Sequence, residues 1–193
     1  MSCENDILTR KAQMRKLIRE KRRELSSSER ERSAAAVAEA LLSLDALRRA
    51  KYVLAYMPMK YELDILPAVE KLRELGIKPV FPLCIENGGL RLFLPAQENG
   101  FKVGAYGILE PNEETAQEIG AQELDAILLP AIGFDRNGHR LGQGGGYYDR
   151  LLAKTDCLRI AVGFNCQLME SIPVEDTDQR VDIVVTPDEI MVI

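Results

Sequence analysis

The chain has 193 residues, 46% of them hydrophobic, which is enough to bury a sizeable core in one domain without disulfides or structural metal. A net charge of −5 excludes general nucleic-acid binding, which draws on basic surface. Four cysteines without Cys-x-x-Cys spacing and a single histidine exclude a zinc site, and no apolar run is long enough to span a membrane or form a signal-peptide core. A cytoplasmic protein acting as a monomer is expected, with the cysteines as small buried hydrophobes.

The charge is uneven. Residues 1–50 hold twelve Lys/Arg against eight Asp/Glu, and the basic excess lies between Arg10 and Arg23. The spacing of Ile7, Met14, Ile18 and Leu25 predicts a helix over residues 7–25 with one apolar face. Lys11 and Arg15 fall on that same face, whereas Arg10, Lys16, Lys21 and Arg23 read as solvated. Two inward-pointing cations need an anion.

The serines 26–28 with Glu31 offer a capping box for a second helix to about Arg49, with Val37, Leu41, Leu44 and Leu47 facing the core. Residues 52–57 form a buried strand ended by Pro58. A helix carrying Leu66, Val69, Leu72 and Leu75 follows, stopped by Gly76. Residues 79–85 are the next parallel strand, completing a β-α-β unit, and residues 86–89 turn the chain into a strand over 90–94. Residues 99–121 read as irregular surface with at most a short helix near 114–119. Further strands are expected at 125–130, 159–164 and 182–185.

Strands alternating with helices predict one α/β domain over residues 1–193, a three-layer α/β/α arrangement with a mostly parallel sheet, residues 1–50 being a helical pair packed on it. Residues 131–152 lie where a strand hands over to a helix, which is where α/β proteins bind ligands. Gly144, Gly145 and Gly146 permit positive φ and allow consecutive N–H groups to form an anion nest at a helix N-terminus. Arg140 is placed to clamp a phosphate. Asp149 is either a helix-dipole partner or, beside a polyphosphate, a Mg²⁺ ligand. The loop is neither a P-loop nor a dinucleotide fingerprint, because Tyr147 stands where each needs another residue.

The string Phe134-Asp135-Arg136, Gly138, Arg140-Leu141-Gly142, Gly144-Gly145-Gly146-Tyr147-Tyr148-Asp149-Arg150 closely resembles the signature of the 5-formyltetrahydrofolate cyclo-ligase family. Lys11 and Arg15, Glu62-Leu63-Asp64, the 107–111 stretch and Val181-Asp182 follow that family's order. The resemblance implies a fold similar to the sugar-phosphate isomerase and coenzyme A transferase group, and ATP- and Mg²⁺-dependent cyclisation of 5-formyltetrahydrofolate to 5,10-methenyltetrahydrofolate. It implies Lys11 and Arg140 as catalytic residues, and Lys11, Arg15, Arg140, Leu141, Gly142, Gln143, Gly144, Gly145, Gly146, Tyr147 and Tyr148 around ATP. It further implies Met57, Glu62 and residues 143–147 around a reduced folate, possibly polyglutamylated, and Asp149 and Asp182 on the Mg²⁺ side. On the residues alone Met57 also reads as core, Asp182 as a turn residue and His139 as surface.

Gln143 stands where relatives often have Tyr or Arg, and Thr177-Asp178 where many have His-Asp. Two alternatives stay open on sequence alone. One is a sugar-phosphate isomerase or acyl-CoA enzyme on a similar fold, and the other is a nucleotide-binding protein without catalysis.

Overall fold

The structure, a computed structural model, describes residues 2–85, 88–96, 99–104 and 107–193, with only the backbone of residues 2–5. None of its helices is long and apolar enough to cross a membrane.

Helix α1 (Ser2–Glu24) is followed by α2 (Ser27–Ser43), and the capping box between them sits two residues earlier than expected. Ser26, in an extended conformation, accepts from the Glu29 N–H, and the Glu29 carboxylate accepts from the Ser26 N–H at 2.8 Å. The helix expected to reach Arg49 is broken at Leu44, whose extended backbone caps α2 before α3 (Asp45–Arg48) begins. Val37, Leu41 and Leu47 are nonetheless all buried.

Strand β1 (Tyr52–Leu54), α4 (Leu66–Glu74) and β2 (Lys78–Cys84) form the expected parallel unit, in register Tyr52↔Lys78 and Leu54↔Val80. Gly76 ends α4 with φ +86°, its N–H bonding the Arg73 carbonyl. The buried face of α4 is Ala68, Val69 and Leu72, while Leu66 and Leu75 are exposed. Strand β3 (Leu90–Leu94) runs antiparallel to β2. Glu86 and Asn87 of the expected turn lie outside the described residues, and Gly88 has φ +77°.

The stretch read as irregular holds the hairpin β4 (Phe101–Val103) and β5 (Leu109–Pro111) and the short strand β6 (Gln117–Glu118). The helix expected near 114–119 does not form. Glu118 pairs with Phe93 of β3, Arg91 grips its carboxylate, and Ile119 is buried. Sheet pairing and burial of one apolar residue outweigh a weak helical preference.

Strand β7 (Ala126–Pro130) and β10 (Leu158–Val162) pair in parallel, and β12 (Ile183–Val185) pairs in parallel with β10. With β8 (Gly133–Asp135), β9 (Arg140–Leu141), α5 (Tyr147–Leu152), β11 (Leu168–Met169) and β13 (Ile190–Val192), the order of the main sheet is β13-β12-β10-β7-β1-β2-β3-β6. The five middle strands are parallel and the outer pairings antiparallel. Two carboxylates pin the N-terminal edge of this sheet. Asp125 accepts from the Lys51 and Tyr52 N–H groups at 2.7 and 2.9 Å, and Asp182 accepts from the Arg159 N–H at 2.8 Å.

One face of the sheet packs Val53, Phe81, Leu128 and Ile160 under α2, α3 and α4. The other packs Leu54, Ile127, Leu129 and Val184 under Leu151 and Leu152 of α5 and under loop residues. Among the described residues the second outer layer thus contains one short α-helix. Helix α1 does not join either face. Its Ile18 packs with Ile132, Leu141 and Ile172 on the small sheet β11-β8-β9, so α1 and α2 serve different cores.

Candidate functional site

A cavity of about 870 Å³ opens beyond the C-terminal ends of the parallel strands, lined by Met57 after β1, Cys84 of β2 and Ala131 after β7. Helix α1, the glycine loop and residues 175–179 form its walls. This is the edge at which open α/β sheets leave a crevice, because the loops after successive strands diverge there.

The glycine loop joins β9 to α5. Gly144 and Gly146 have φ of +108° and +66°, which L side chains rarely adopt, while Gly145 does not. A Cβ on Gly145 would instead stand 2.7 Å from the Tyr147 ring. Arg15 donates from Nε to the Gly142 carbonyl at 2.8 Å, and Arg150 donates to the Gly145 carbonyl at 2.7 Å. Two carbonyls of the loop are thereby turned to arginines.

The expected cations converge on this wall with partners already in place. Lys11, 4% exposed, is ion-paired with both Glu175 and Asp178. Burial pulls its ammonium down, but the hydrogen bonds and charges of the two acids outweigh this and raise it above the ordinary lysine value. For Arg15, burial and then neighbouring Arg19 lower the guanidinium below its usual value. Arg140, 7% exposed, donates from Nη2 to Asp149 Oδ1 at 2.8 Å, and its buried Nε has no partner among the described residues. The Gln179 N–H also approaches Asp149 Oδ1, at 3.4 Å.

The rest of the lining carries fewer charges. Met57 lines the cavity while packing partly on the core, so it fills both roles read for it. Glu62 Oε2 accepts from the Met59 N–H at 3.0 Å. Its Oε1 faces Gln143 Nε2 at 3.3 Å, and Gln143 Oε1 accepts from Arg19 Nη2 at 2.6 Å. A cation at one end and a carboxylate at the other orient that amide. Burial, then the Glu62 charge, push the Tyr148 phenol up, which keeps it neutral. Cys84 is also pushed up, by burial and then by Glu110, so it is a thiol rather than a thiolate nucleophile.

Lys11, Arg15, Met57, Glu62 and all of residues 140–149 are brought to one cavity, but Asp182 is not. It precedes a parallel strand and so lies at the far edge of the sheet, where its carboxylate holds the Arg159 N–H. The acid that does reach the cleft from this region is Asp178, with Glu175; their signal in the sequence is the acidic run 175–178. No group of three or more His, Cys, Asp or Glu suited to a metal occurs among the described residues. His139 is not plain surface: its Nδ1 lies 2.9 Å from Oδ2 of Asp135, and its ring is mostly covered.

The sequence profile of the 5-formyltetrahydrofolate cyclo-ligase family matches residues 7–187. The chain belongs to this family. Its relatives include the 5-formyltetrahydrofolate cyclo-ligase of Mycolicibacterium smegmatis, 34% identical over 92% of this chain and 93% of that protein. The cyclo-ligase of Escherichia coli is 28% identical over 90% of this chain and 98% of its own. The solved structure of Aquifex aeolicus 5,10-methenyltetrahydrofolate synthetase superposes with a TM-score of 0.84 at 33% identity, covering 94% of this chain and 92% of that one. The cyclo-ligase membership makes this chain an enzyme of the ligase class, which removes the non-catalytic alternative.

Proposed function

We propose that this cyclo-ligase converts 5-formyltetrahydrofolate to 5,10-methenyltetrahydrofolate with ATP. The observation that carries the reading is one cleft lined by two sets of residues of different chemistry. Lys11, Arg15, Arg140 and the glycine loop make up one set, and Glu62 with Met57 the other, Gln143 of the loop joining them through its bond to Glu62. A triphosphate suits the first. A pterin suits the second, since its N–H edge offers donors to a carboxylate while its rings need apolar cover.

In this reading the formyl oxygen attacks the γ-phosphorus and ADP leaves. N10 then attacks the activated carbon and loses its proton, and phosphate departs as the five-membered ring closes. Such chemistry asks the protein for positioning and charge neutralisation rather than a covalent nucleophile. Arg140 and Lys11 are the residues assigned to the transferring phosphoryl, and Arg15, fixed on Gly142, holds the loop against α1. Glu62 holds the pterin in register. Each cation has a carboxylate or carbonyl partner that a phosphate oxygen would replace or share.

Mg²⁺ is commonly held by one or two carboxylates plus substrate phosphates. Asp149 and Asp178 fit that pattern, as hard oxygen donors on the phosphate side of the cleft, and the metal would there neutralise phosphate charge. The test is absorbance growth of the methenyl product on mixing protein, 5-formyltetrahydrofolate, Mg²⁺ and ATP. Folded protein that yields no ATP-dependent product sinks the proposal.

A further inference from the structure

Arg22 lies on α1 beyond the cations assigned to phosphate, and it is 4% exposed. It has no ion pair among the described residues, and its Nη1 is buried without a partner. Burial lowers its guanidinium below the usual value, and the Glu62 charge offsets this only in part. A buried, unpaired cation is costly, and an apolar side chain would fill the same space more cheaply. What it does make among the described residues is a hydrogen bond from Nε to the Tyr61 carbonyl at 2.8 Å.

Tyr61 has φ +68°, one of two non-glycine residues described in the left-handed region. Such a conformation persists only when its surroundings hold it, and it reverses the chain immediately before Glu62. The turn is closed by the Glu62 N–H on the Met59 carbonyl at 2.9 Å and by the Met59 N–H on Glu62 Oε2. Arg22 holds the strained residue by its carbonyl and bonds neither Glu62 oxygen: Oε2 accepts from the Met59 N–H, and Oε1 faces Gln143 in the cleft.

We infer that Arg22 is a positioning residue: it fixes the Tyr61 backbone so that Glu62 meets the pterin, and it acts on folate binding without acting on the nucleotide. This rests on the reading of Glu62 as the substrate acid. Because Lys11 and Arg22 lie on one helix, α1 links the cations assigned to phosphate with the turn that carries Glu62.

The experiment measures 5-formyltetrahydrofolate and ATP dissociation constants separately by calorimetry, for wild type, Arg22→Gln, Arg22→Lys, Tyr61→Gly and each Arg22 variant combined with Tyr61→Gly, with Tm as a folding control. Arg22→Gln should weaken folate binding about tenfold, the worth of one hydrogen bond to a charged group, with ATP binding within about twofold. Arg22→Lys keeps the charge but not the guanidinium geometry, and should also weaken folate selectively. Glycine adopts φ +68° without help, so in the Tyr61→Gly background the Arg22→Gln effect should shrink to within about twofold. Equal weakening of both ligands, an unchanged folate constant, or an undiminished effect beside Gly at 61 would each overturn the inference. If Arg22→Gln does not fold, Arg22→Lys alone and beside Tyr61→Gly decides by the same criteria. Wild-type protein that binds no reduced folate would instead overturn the functional reading on which this one stands.

Discussion

Lys11 near the start of α1 is ion-paired with Asp178, 167 residues further along the chain, and the pair closes one wall of the cleft. The inward-facing cation that the helical spacing predicts therefore has its anion in the protein itself.

That pairing sets the sign of the Lys11→Ala prediction. Without the ammonium, Asp178 and Glu175 lose their ion-pair partner and keep only the charge of Arg15, which pairs with neither, so stability should fall by about 1–2 kcal/mol even without ATP. Both acids are partly exposed, which keeps the loss at the low end of charged contacts. At roughly 2–4 °C per kcal/mol for a domain of this size, Tm should drop measurably in a thermal melt. The ATP KM should rise by about one to two orders of magnitude. Lys16→Ala, on the exposed side of the same helix, should match wild type in both.

Gly145→Val should weaken ATP binding while the fold survives. Gly145 is exposed and its φ is ordinary, so nothing in the core resists the change, but the new Cβ would displace the Tyr147 ring. A loss of about tenfold or more in the ATP dissociation constant is expected. Calorimetry showing an unchanged constant would mean that the loop does not approach the phosphates.

Asp149→Asn and Asp182→Asn should part company in a Mg²⁺ titration of activity. The first removes a charged oxygen from the cleft and the counter-charge of buried Arg140, and should raise the half-maximal Mg²⁺ concentration by roughly an order of magnitude. The second breaks a pin at the distant edge of the sheet and should lower Tm without moving the titration.

Asp135 is fully buried, and its carboxylate accepts from the Asn137, His139 and Ile172 N–H groups at 2.9–3.0 Å. Burial alone would raise it, but these hydrogen bonds and the His139 ring hold it below the ordinary aspartate value. A depressed folded-state value stabilises fully above the unfolded one, about pH 4, and that contribution is lost as pH falls through the folded value. Asp135→Asn should cost about 3 kcal/mol at neutral pH and flatten the acid limb of stability against pH, read by urea unfolding from pH 7 to 3.

Much of the cleft was legible because its residues advertise themselves locally. Two cations on an apolar helix face, a glycine run after a strand, and an acid after β1 each carry a signal within a few positions. Asp182 misled because adjacency to a strand does not say which end of the strand is meant. The rule that placed the glycine loop at the ligand edge, applied to a residue preceding β12, puts it at the opposite edge. Asp178 sits in a loop without periodicity, and only the fold brings it to Lys11. The 114–119 stretch became a strand for a similar reason, since Arg91 and Phe93 are remote in sequence. Arg22 falls four after Ile18 and three before Leu25, on the apolar face, but the spacing names no partner for it, and nothing there announces the bend at Tyr61.

The middle of the sheet has a consequence for how fast the enzyme becomes competent. Val53 of β1 meets Pro79 through one short crossover but meets Ala126 of β7 only across a loop nearly three times as long. Loop closure costs only about 0.6 kcal/mol more per doubling, so the delay is kinetic rather than thermodynamic. The local unit β1-α4-β2 can form while the β1–β7 seam is still open. Because the cleft lies over that seam, refolding chains should regain helix signal early and ligand binding late, when the seam has shut.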